Sequence, residues 1–547
     1  MKVDRGHTCP RLLVFSSPRL LMKKSAIAAI VALPLIAGAF VVQERATLDG
    51  GRLFGQVLDL VESRYVDSVD AAMLYEKAAR GLVAQLQDPY SELFSPRQLT
   101  QFNTTTAGRY GGLGMQIEEQ PGKGVVVSKV FPHTPAEGAG AREGDMIIAI
   151  DTLATRGWSS ARVADSLRGV PGSKVSVSFA RPGVVEPIKS TFTRAVIRVP
   201  AVPYAITFDK VGYIPLQGFN ESSTQEVAAA VRLLTTQEGA KGLILDLRGN
   251  GGGFLDQSLA ISNLFLPQGT ELASVRGRNQ ENQTYTAREK PIAPDIPIVI
   301  LTDQFTASAS EIVAGALQDH DRALILGTTS FGKGLVQTLF NLDGGYALKI
   351  TTGKWYTPSG RTIQKERTLL PDGQFVEVHP DSLESDSARK ARPVYRSDAG
   401  RVVYGGGAIT PDVIVKPDTF TAAEQAFLRA SASKSQDIYV TTYDYAMELK
   451  DKVKGNPNFV VAPEWRDELY NRLSKKGVTL DRALYDRAHT QIDRMLEQRV
   501  ARLAFGDSTA RRRSLDDDIQ LQKAIEILKR GQNQKDLFAL APRYSQK

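Results

Sequence analysis

The segment Thr306-Ala307-Ser308-Ala309-Ser310-Glu311 lies between an apolar run, Ile298-Val299-Ile300-Leu301, and an amphipathic stretch from Ser310 to Leu317. A serine at such a strand-to-helix junction has its hydroxyl among helix N–H groups that lack intrahelical acceptors. The positive end of the helix dipole there favours developing negative charge. Helix capping by Ser308 or Ser310 is the commoner use of such a residue, and nucleophilic use needs a base. His320, beside Asp321, lies 12 residues beyond Ser308. Along a continuous helix that is about 18 Å, beyond hydrogen-bond reach. His133 and His379 fall in other regions and carry no positive argument.

Lys333, in Thr329-Ser330-Phe331-Gly332-Lys333-Gly334, is the better base candidate. An amine accepts a proton only when neutral, and at pH 7 about one lysine in 2,500 is neutral. Lowering the pKa by roughly 3 units takes about 4 kcal/mol, which burial among apolar groups can supply. Phe331, Leu335 and the lack of a carboxylate between Gly327 and Asn341 suit that. Gln337 shares a strand face with positions 333 and 335, and its amide oxygen can accept from the lysine without adding charge. An ordinary exposed loop lysine fits the same residues. The loop also matches the phosphate-loop pattern G-x-x-x-x-G-K from Gly327 to Lys333, an NTPase reading. However, Gly334 replaces the Ser or Thr that holds Mg²⁺, and a β-rich run follows where a helix is needed.

Composition supports catalysis by hydroxyls, carboxylates or amines. Of the 547 residues 42% are hydrophobic and 23% charged, as in ordinary globular chains. The length suggests three to four domains. Cys9 is the single cysteine, so no internal disulfide or multi-cysteine metal site forms, and the five histidines show no ligand spacing. No metal or other cofactor is expected. The net charge is +8, but six cations against Asp4 place +5 in the first 24 residues, leaving +3 for the rest. No nucleic-acid partner is expected.

Lys23-Lys24 precede an uncharged run of 17 residues, Ala26 to Val42, containing the small triplet Ala37-Gly38-Ala39. This pattern fits a cleaved signal peptide and, equally, a retained membrane anchor. Both export the remainder, and Met22 offers an alternative start. Residues from about 50 to 98 read as helices, the second of them stopped by the turn Asp88-Pro89-Tyr90-Ser91. Short glycine-punctuated strands fill about 108 to 198, with a helix from Ser160 to Leu167. Strands alternate with helices from about 210 to 355, the α/β signature. Ser223-Thr224-Gln225-Glu226 reads as a capping box. Residues 365–403 are polar and irregular. The last 130 or so residues are helical, and Ser514 is expected to cap a solvated helix with Asp516, Asp517 and Asp518 in its first turn and Gly531 after its end. Arg511-Arg512-Arg513 reads as exposed surface.

Residues from about 50 to 416 resemble the C-terminal processing peptidases, a serine–lysine peptidase family. The resemblance rests on Asp88-Pro89-Tyr90-Ser91, Gly111-Gly112-Leu113-Gly114, Asp246-Leu247-Arg248-Gly249-Asn250-Gly251-Gly252-Gly253, Ser308-Ala309-Ser310-Glu311-Ile312, Phe331-Gly332-Lys333-Gly334 with Gln337, Tyr356-Thr357-Pro358-Ser359-Gly360-Arg361 and Ile409-Thr410-Pro411-Asp412-Val413. Gly251 departs from the proline common there. The resemblance implies a multidomain α/β (α+β) chain. Its parts would be a leader or anchor (1–42), an N-terminal helical region (43–98), an inserted PDZ domain (99–198), a crotonase/Clp-protease-like ββα peptidase core (199–416) and a C-terminal helical region (417–547). It implies Ser308 as nucleophile, Lys333 as general base and Gln337 as the group orienting the lysine. Ala309 and Gly252 would supply the oxyanion N–H groups. Gly112, Leu113 and Gly114 would receive a peptide carboxylate, with Arg168 coupling that binding to the active site. The expected protein is an exported endopeptidase of the bacterial periplasm or cell envelope, with or without inner-membrane anchoring. It acts on polypeptides with accessible C-termini, and its oligomer and adaptors are left open. A non-catalytic peptide-binding scaffold is the rival.

Overall fold

The computed structural model describes residues 50–120, 124–181, 184–278, 280–369, 375–377 and 392–544. The leader or anchor, with Met22, Ala26 to Val42 and Cys9, lies outside the described residues, as does His379. Among the described residues no helix is long and apolar enough to cross a membrane.

The chain divides into two compact units at Leu86. In the first, residues 50–64 form one helix and Ala71–Ala84 another. Asp70 caps the second, its carboxylate accepting from the Ala72 N–H at 2.8 Å.

The second unit begins with a β module. Its antiparallel strands run in the order Met115–Gln120, Gly124–Val130, Met146–Ile150, Lys174–Ala180, Ile188–Thr193. Val125, Val127, Val175, Val177 and Phe179 alternate inward along their strands, the period that a half-buried sheet requires. Val163 and Leu167 of the helix Ser160–Leu167 close this small core. Met115–Gln120 is an edge strand, so one row of its backbone groups faces no neighbour within the sheet.

The larger sheet is built from continuous apolar runs, as strands buried on both faces must be. Its order is Ile206–Phe208, Val211–Pro215, Gly242–Asp246, Ile298–Thr302, Leu324–Gly327, Val413–Ile414, and every pair after the first is parallel. Leu243, Leu245, Ile298 and Ile300 pack against the helices Ser223–Arg232, Leu255–Asn263 and Ala309–Asp319. Ile244, Val299 and Leu301 point to the other face, where Leu521, Ala524, Ile525 and Leu528 of the helix Ile519–Arg530 cover them. That helix is therefore not the solvated one expected. Its cap is Asp518, which accepts from the Leu521 N–H, whereas Ser514 belongs to the preceding helix Asp507–Asp516. The charges at its ends match the helix dipole whether or not the apolar stripe between them is buried.

The capping box expected at Ser223 is shifted as well. The helix starts from Ser222, and Ser223 Oγ instead donates to Gly218 O.

The C-terminal region is not one body. Phe427, Leu449, Leu469, Leu473, Tyr485, Leu496 and Val500 form a separate helical core, while residues from Leu515 onward pack on the large sheet. A boundary at 417 thus misses that the last helices belong with the α/β layers. The arginine triplet is put to use there. Arg511 lies 4.5 Å from the centre of the Tyr204 ring, and Arg513 donates to Pro457 O, Phe459 O and Glu497.

Candidate active site

Three adjacent parallel strands, Gly242–Asp246, Ile298–Thr302 and Leu324–Gly327, end side by side. The turn 247–253, the segment 303–308 and the loop 328–334 leave from those carboxyl ends, where open α/β sheets bind their ligands. A second sheet pairs Leu335–Asn341 with Ala347–Tyr356 and adds the short strand Glu92–Phe94 beside Lys349, Leu348 and Ala347. That addition brings Asp88-Pro89-Tyr90-Ser91 to the lysine loop.

Ser308 occupies the N-cap position of Ala309–Asp319 with φ 57° and ψ −115°. A non-glycine residue in that region is strained and is held there by its surroundings. Its N–H donates to Glu311 Oε2 at 2.8 Å, while Ser310 is spent structurally, its Oγ donating to Asn250 O at 2.9 Å. Ser308 itself is half-buried.

Glu311 is fully buried and ties the site together. Its Oε2 also accepts from the Lys333 N–H at 2.9 Å, and its Oε1 accepts from Gly332 N–H at 2.7 Å and Ser330 Oγ at 2.5 Å. One carboxylate oxygen thus bridges the backbones of Ser308 and Lys333. Burial pushes the Glu311 pKa up, and the bonds from Ser330, Lys333, Ser308 and Gly332 oppose that. Four hydrogen bonds thus satisfy this buried carboxyl group, and burial, the larger effect, keeps the net direction upward. Sequence reading passed over Glu311 as a site residue, although its place three residues after Ser308 is the capping-box spacing.

Lys333 precedes the strand Leu335–Asn341, and its ammonium lies 4.6 Å from the centre of the Tyr90 ring. Its carbonyl accepts from Trp355 Nε1 at 3.0 Å. Burial lowers the amine's pKa and the Lys349 charge lowers it further, against Asp88 and Glu311, which raise it. The net direction is down, as a base requires. The segment from Gly327 to Asn341 carries no carboxylate, and both acids arrive from other parts of the chain. No helix follows this loop, so the phosphate-loop reading fails.

Among the described residues, the Gln337 side chain is bonded to Thr351 rather than to Lys333. Its Nε2 donates to Thr351 Oγ1 at 3.3 Å, and Thr351 Oγ1 donates to Asp88 Oδ2 at 2.6 Å. Asp88 also accepts from Ser91 Oγ at 2.6 Å. No signal within either segment could have joined Asp88 and Tyr90 to Lys333.

Gly252 lies against the serine: a Cβ on it would come within 3.0 Å of Ser308 Cβ and Ala309 N. Its own N–H, however, donates to Asn250 Oδ1 at 2.9 Å, so it is not open toward Ser308 in this arrangement. That departs from the oxyanion role expected of it. The Ala309 N–H stands at the first turn of its helix, as expected.

In the β module, a cavity of about 380 Å³ runs between the edge strand Met115–Gln120 and the helix Ser160–Leu167, lined by Gly112, Leu113, Gly114, Ile117 and Arg168 among others. Gly114 has φ +84°, and a Cβ there would sit 2.3–2.5 Å from Thr134. Arg168 caps the helix and lies 5.4 Å from the centre of the Tyr110 ring. Both residues also line a cavity of about 580 Å³ that reaches Gly251, Gly252 and Gly253. The groove and the cavity at the glycine turn thus share the walls Tyr110 and Arg168. His320, rejected as a base, is tied instead to Asp398 Oδ2 and Glu271 O.

Three family models match parts of the chain. The model described as peptidase family S41 matches residues 210–375, that of the PDZ domain matches 104–179, and that of the activating protease CtpB N-terminal domain matches 42–95. The chain is 38% identical to the carboxy-terminal-processing protease of Bartonella bacilliformis, over 57% of this chain and 72% of that protein. It is 34% identical to the carboxy-terminal processing protease CtpA of Bacillus subtilis, covering 57% and 67%. With the carboxyl-terminal-processing protease of Synechocystis it shares 38% identity, over 54% and 69%. The chain therefore belongs to the carboxy-terminal processing protease family of S41 peptidases, and it is a serine-type peptidase that carries a PDZ domain.

Proposed function

We propose that this peptidase captures polypeptide C-termini in its PDZ groove and cleaves them with Ser308 and Lys333 through an acyl-enzyme. The observation that carries the reading is the Glu311 carboxylate shared by the Ser308 and Lys333 backbones, beside an amine whose burial favours its neutral form. Neutral Lys333 takes the Ser308 hydroxyl proton as Oγ attacks the peptide carbonyl. The ammonium then returns that proton to the leaving amine, and water, deprotonated by the same amine, releases the acyl group. The Ala309 N–H receives the developing oxyanion. A turn N–H joins it, Gly252 only on releasing Asn250 Oδ1. Gln337 orients Lys333 when its amide turns from Thr351. No metal or organic cofactor is required by these steps.

The edge strand Met115–Gln120 supports recognition by strand addition, with the peptide carboxylate at Gly112-Leu113-Gly114 and an apolar side chain in the groove. Arg168, present at both cavities, is the residue through which an occupied groove would be sensed at the glycine turn. The basic-apolar leader supports export to the periplasm or cell envelope, free or anchored at the inner membrane. The test is degradation of an unstructured protein with an apolar C-terminus by wild type and by Ser308→Ala. Loss in the variant is expected, and equal proteolysis would remove the assignment to Ser308.

A further inference from the structure

The turn that faces Ser308 has little stiffness of its own. Gly251, Gly252 and Gly253 follow one another, and Gly249, Gly252 and Gly253 take φ of +69°, +98° and +149°. Glycines leave a chain segment free to move unless other groups hold it. Inside the α/β core the Asp303 carboxylate accepts from the Gly249 N–H at 3.0 Å, and Asn250 Nδ2 donates to Leu216 O at 2.6 Å. Asn250 Oδ1 accepts from the Gly252 N–H at 2.9 Å, and the Asn250 backbone carbonyl accepts from the Ala307 N–H at 3.0 Å and Ser310 Oγ at 2.9 Å. The Gly252 carbonyl accepts from the Phe219 N–H at 3.1 Å.

A further hold comes from the far end of the chain. Arg248, at the base of the turn, is mostly buried and its guanidinium is forked between two acids. Nε donates to Asp246 Oδ1 at 3.0 Å and Nη2 to Asp246 Oδ2 at 2.6 Å. The same Nη2 donates to Asp518 Oδ2 at 2.6 Å, while Nη1 donates to Asp518 Oδ1 and Gln520 Oε1, both at 2.9 Å. Asp246 is itself held by the Tyr213 hydroxyl at 2.8 Å. Asp518 is placed by hydrophobic packing, because it caps the helix whose Leu521, Ala524, Ile525 and Leu528 cover the sheet. That helix lies so close that a Cβ on Gly242 would sit 2.9 Å from Leu528. A two-pronged arginine–carboxylate pair fixes direction as well as distance.

We propose that Asp518 is a positioning residue for the peptidase reaction: through Arg248 it holds the Gly249–Gly253 turn in register with Ser308, so the C-terminal helix completes the active site. The proposal rests on Ser308 being the nucleophile. Asp518→Asn is the informative change, since asparagine still caps a helix but loses the charge that pairs with Arg248. Lys529→Ala is its control, breaking an exposed ion pair to Asp209 at the other end of the same helix.

Rates on a peptide substrate are taken per folded molecule in the full-length protein, together with the affinity of a peptide boronic acid, which needs the oxyanion donors. The expected result for Asp518→Asn is a kcat at least tenfold lower with KM within about twofold, and boronate affinity weakened in parallel. Asp518→Glu is expected to recover part of the kcat, and Lys529→Ala to match wild type. A wild-type kcat in Asp518→Asn, or a loss no greater than in Lys529→Ala, overturns the proposal. Failure of the parent reading shows separately, as undiminished proteolysis by Ser308→Ala.

Discussion

The two functional regions of this peptidase are built in opposite ways. Around Ser308 and Lys333 the chain spends buried charge and strain: a fully buried carboxylate with four donors, a serine at φ 57°, and an amine stacked over a tyrosine ring. The PDZ groove, apart from Arg168 over the Tyr110 ring, is simpler. It is an edge strand, a helix and open space, with Gly114 admitting the backbone where any side chain would strike Thr134. On the proposed function the difference follows from the two tasks. Bond cleavage needs donors and bases fixed before the substrate arrives, whereas recognition of many C-termini needs a shape and a row of backbone groups.

Substitutions can break that contrast in order of size. Ser308→Ala and Lys333→Met should each lower kcat by about 10⁴-fold or more, measured on an unfolded substrate, with PDZ peptide affinity unchanged. Their stabilities should differ in an instructive way. Because burial lowers the Lys333 pKa, folding favours its neutral form. Stability linked to it rises with pH between the depressed value and the ordinary one near 10.5. Lys333→Met therefore should raise Tm at neutral pH, and a fall in Tm would contradict the burial argument. Glu311→Gln comes next. It turns an amide N–H₂ toward N–H donors, so unfolding titrations should show a loss of about 2–4 kcal/mol along with activity reduced about 100-fold.

In the wild type, kcat/KM should decline as pH drops through the lowered lysine pKa. A flat profile from about pH 5 to about pH 9 would remove Lys333 as the base. On the recognition side the effects should be smaller and should fall on KM. Gly114→Val should weaken peptide binding about tenfold by calorimetry while leaving cleavage of a short peptide near wild type. Arg168→Ala should cost least in affinity, about threefold, with its larger effect on how strongly a bound C-terminal peptide stimulates cleavage. No change in either would sever the groove from the glycine turn.

Much of the candidate site was legible because its signals are local. A serine between an apolar strand and a helix, a lysine after the next strand, and a glycine run after the strand before them are each written in a few neighbouring residues. What could not be read were groups whose partners lie far along the chain. Asp88 and Tyr90 reach Lys333 because Glu92–Phe94 pairs beside Lys349, Leu348 and Ala347. The Gly252 N–H is engaged because Asn250 turns its side chain back on it. The C-terminal helix was misjudged for a related reason, since its end charges obey the helix dipole whether or not its middle is buried.

By itself the sequence determined the chemistry on offer. One cysteine and scattered histidines leave hydroxyls, acids and amines, and apolar periodicity sets the strands and helices that carry them. Only the tertiary structure decided which of those groups meet. Burial, charge and hydrogen bonding act through space, so the acidity of Lys333, the sharing of Glu311 and the anchoring of Arg248 by Asp518 exist only once the sheets have brought distant segments together.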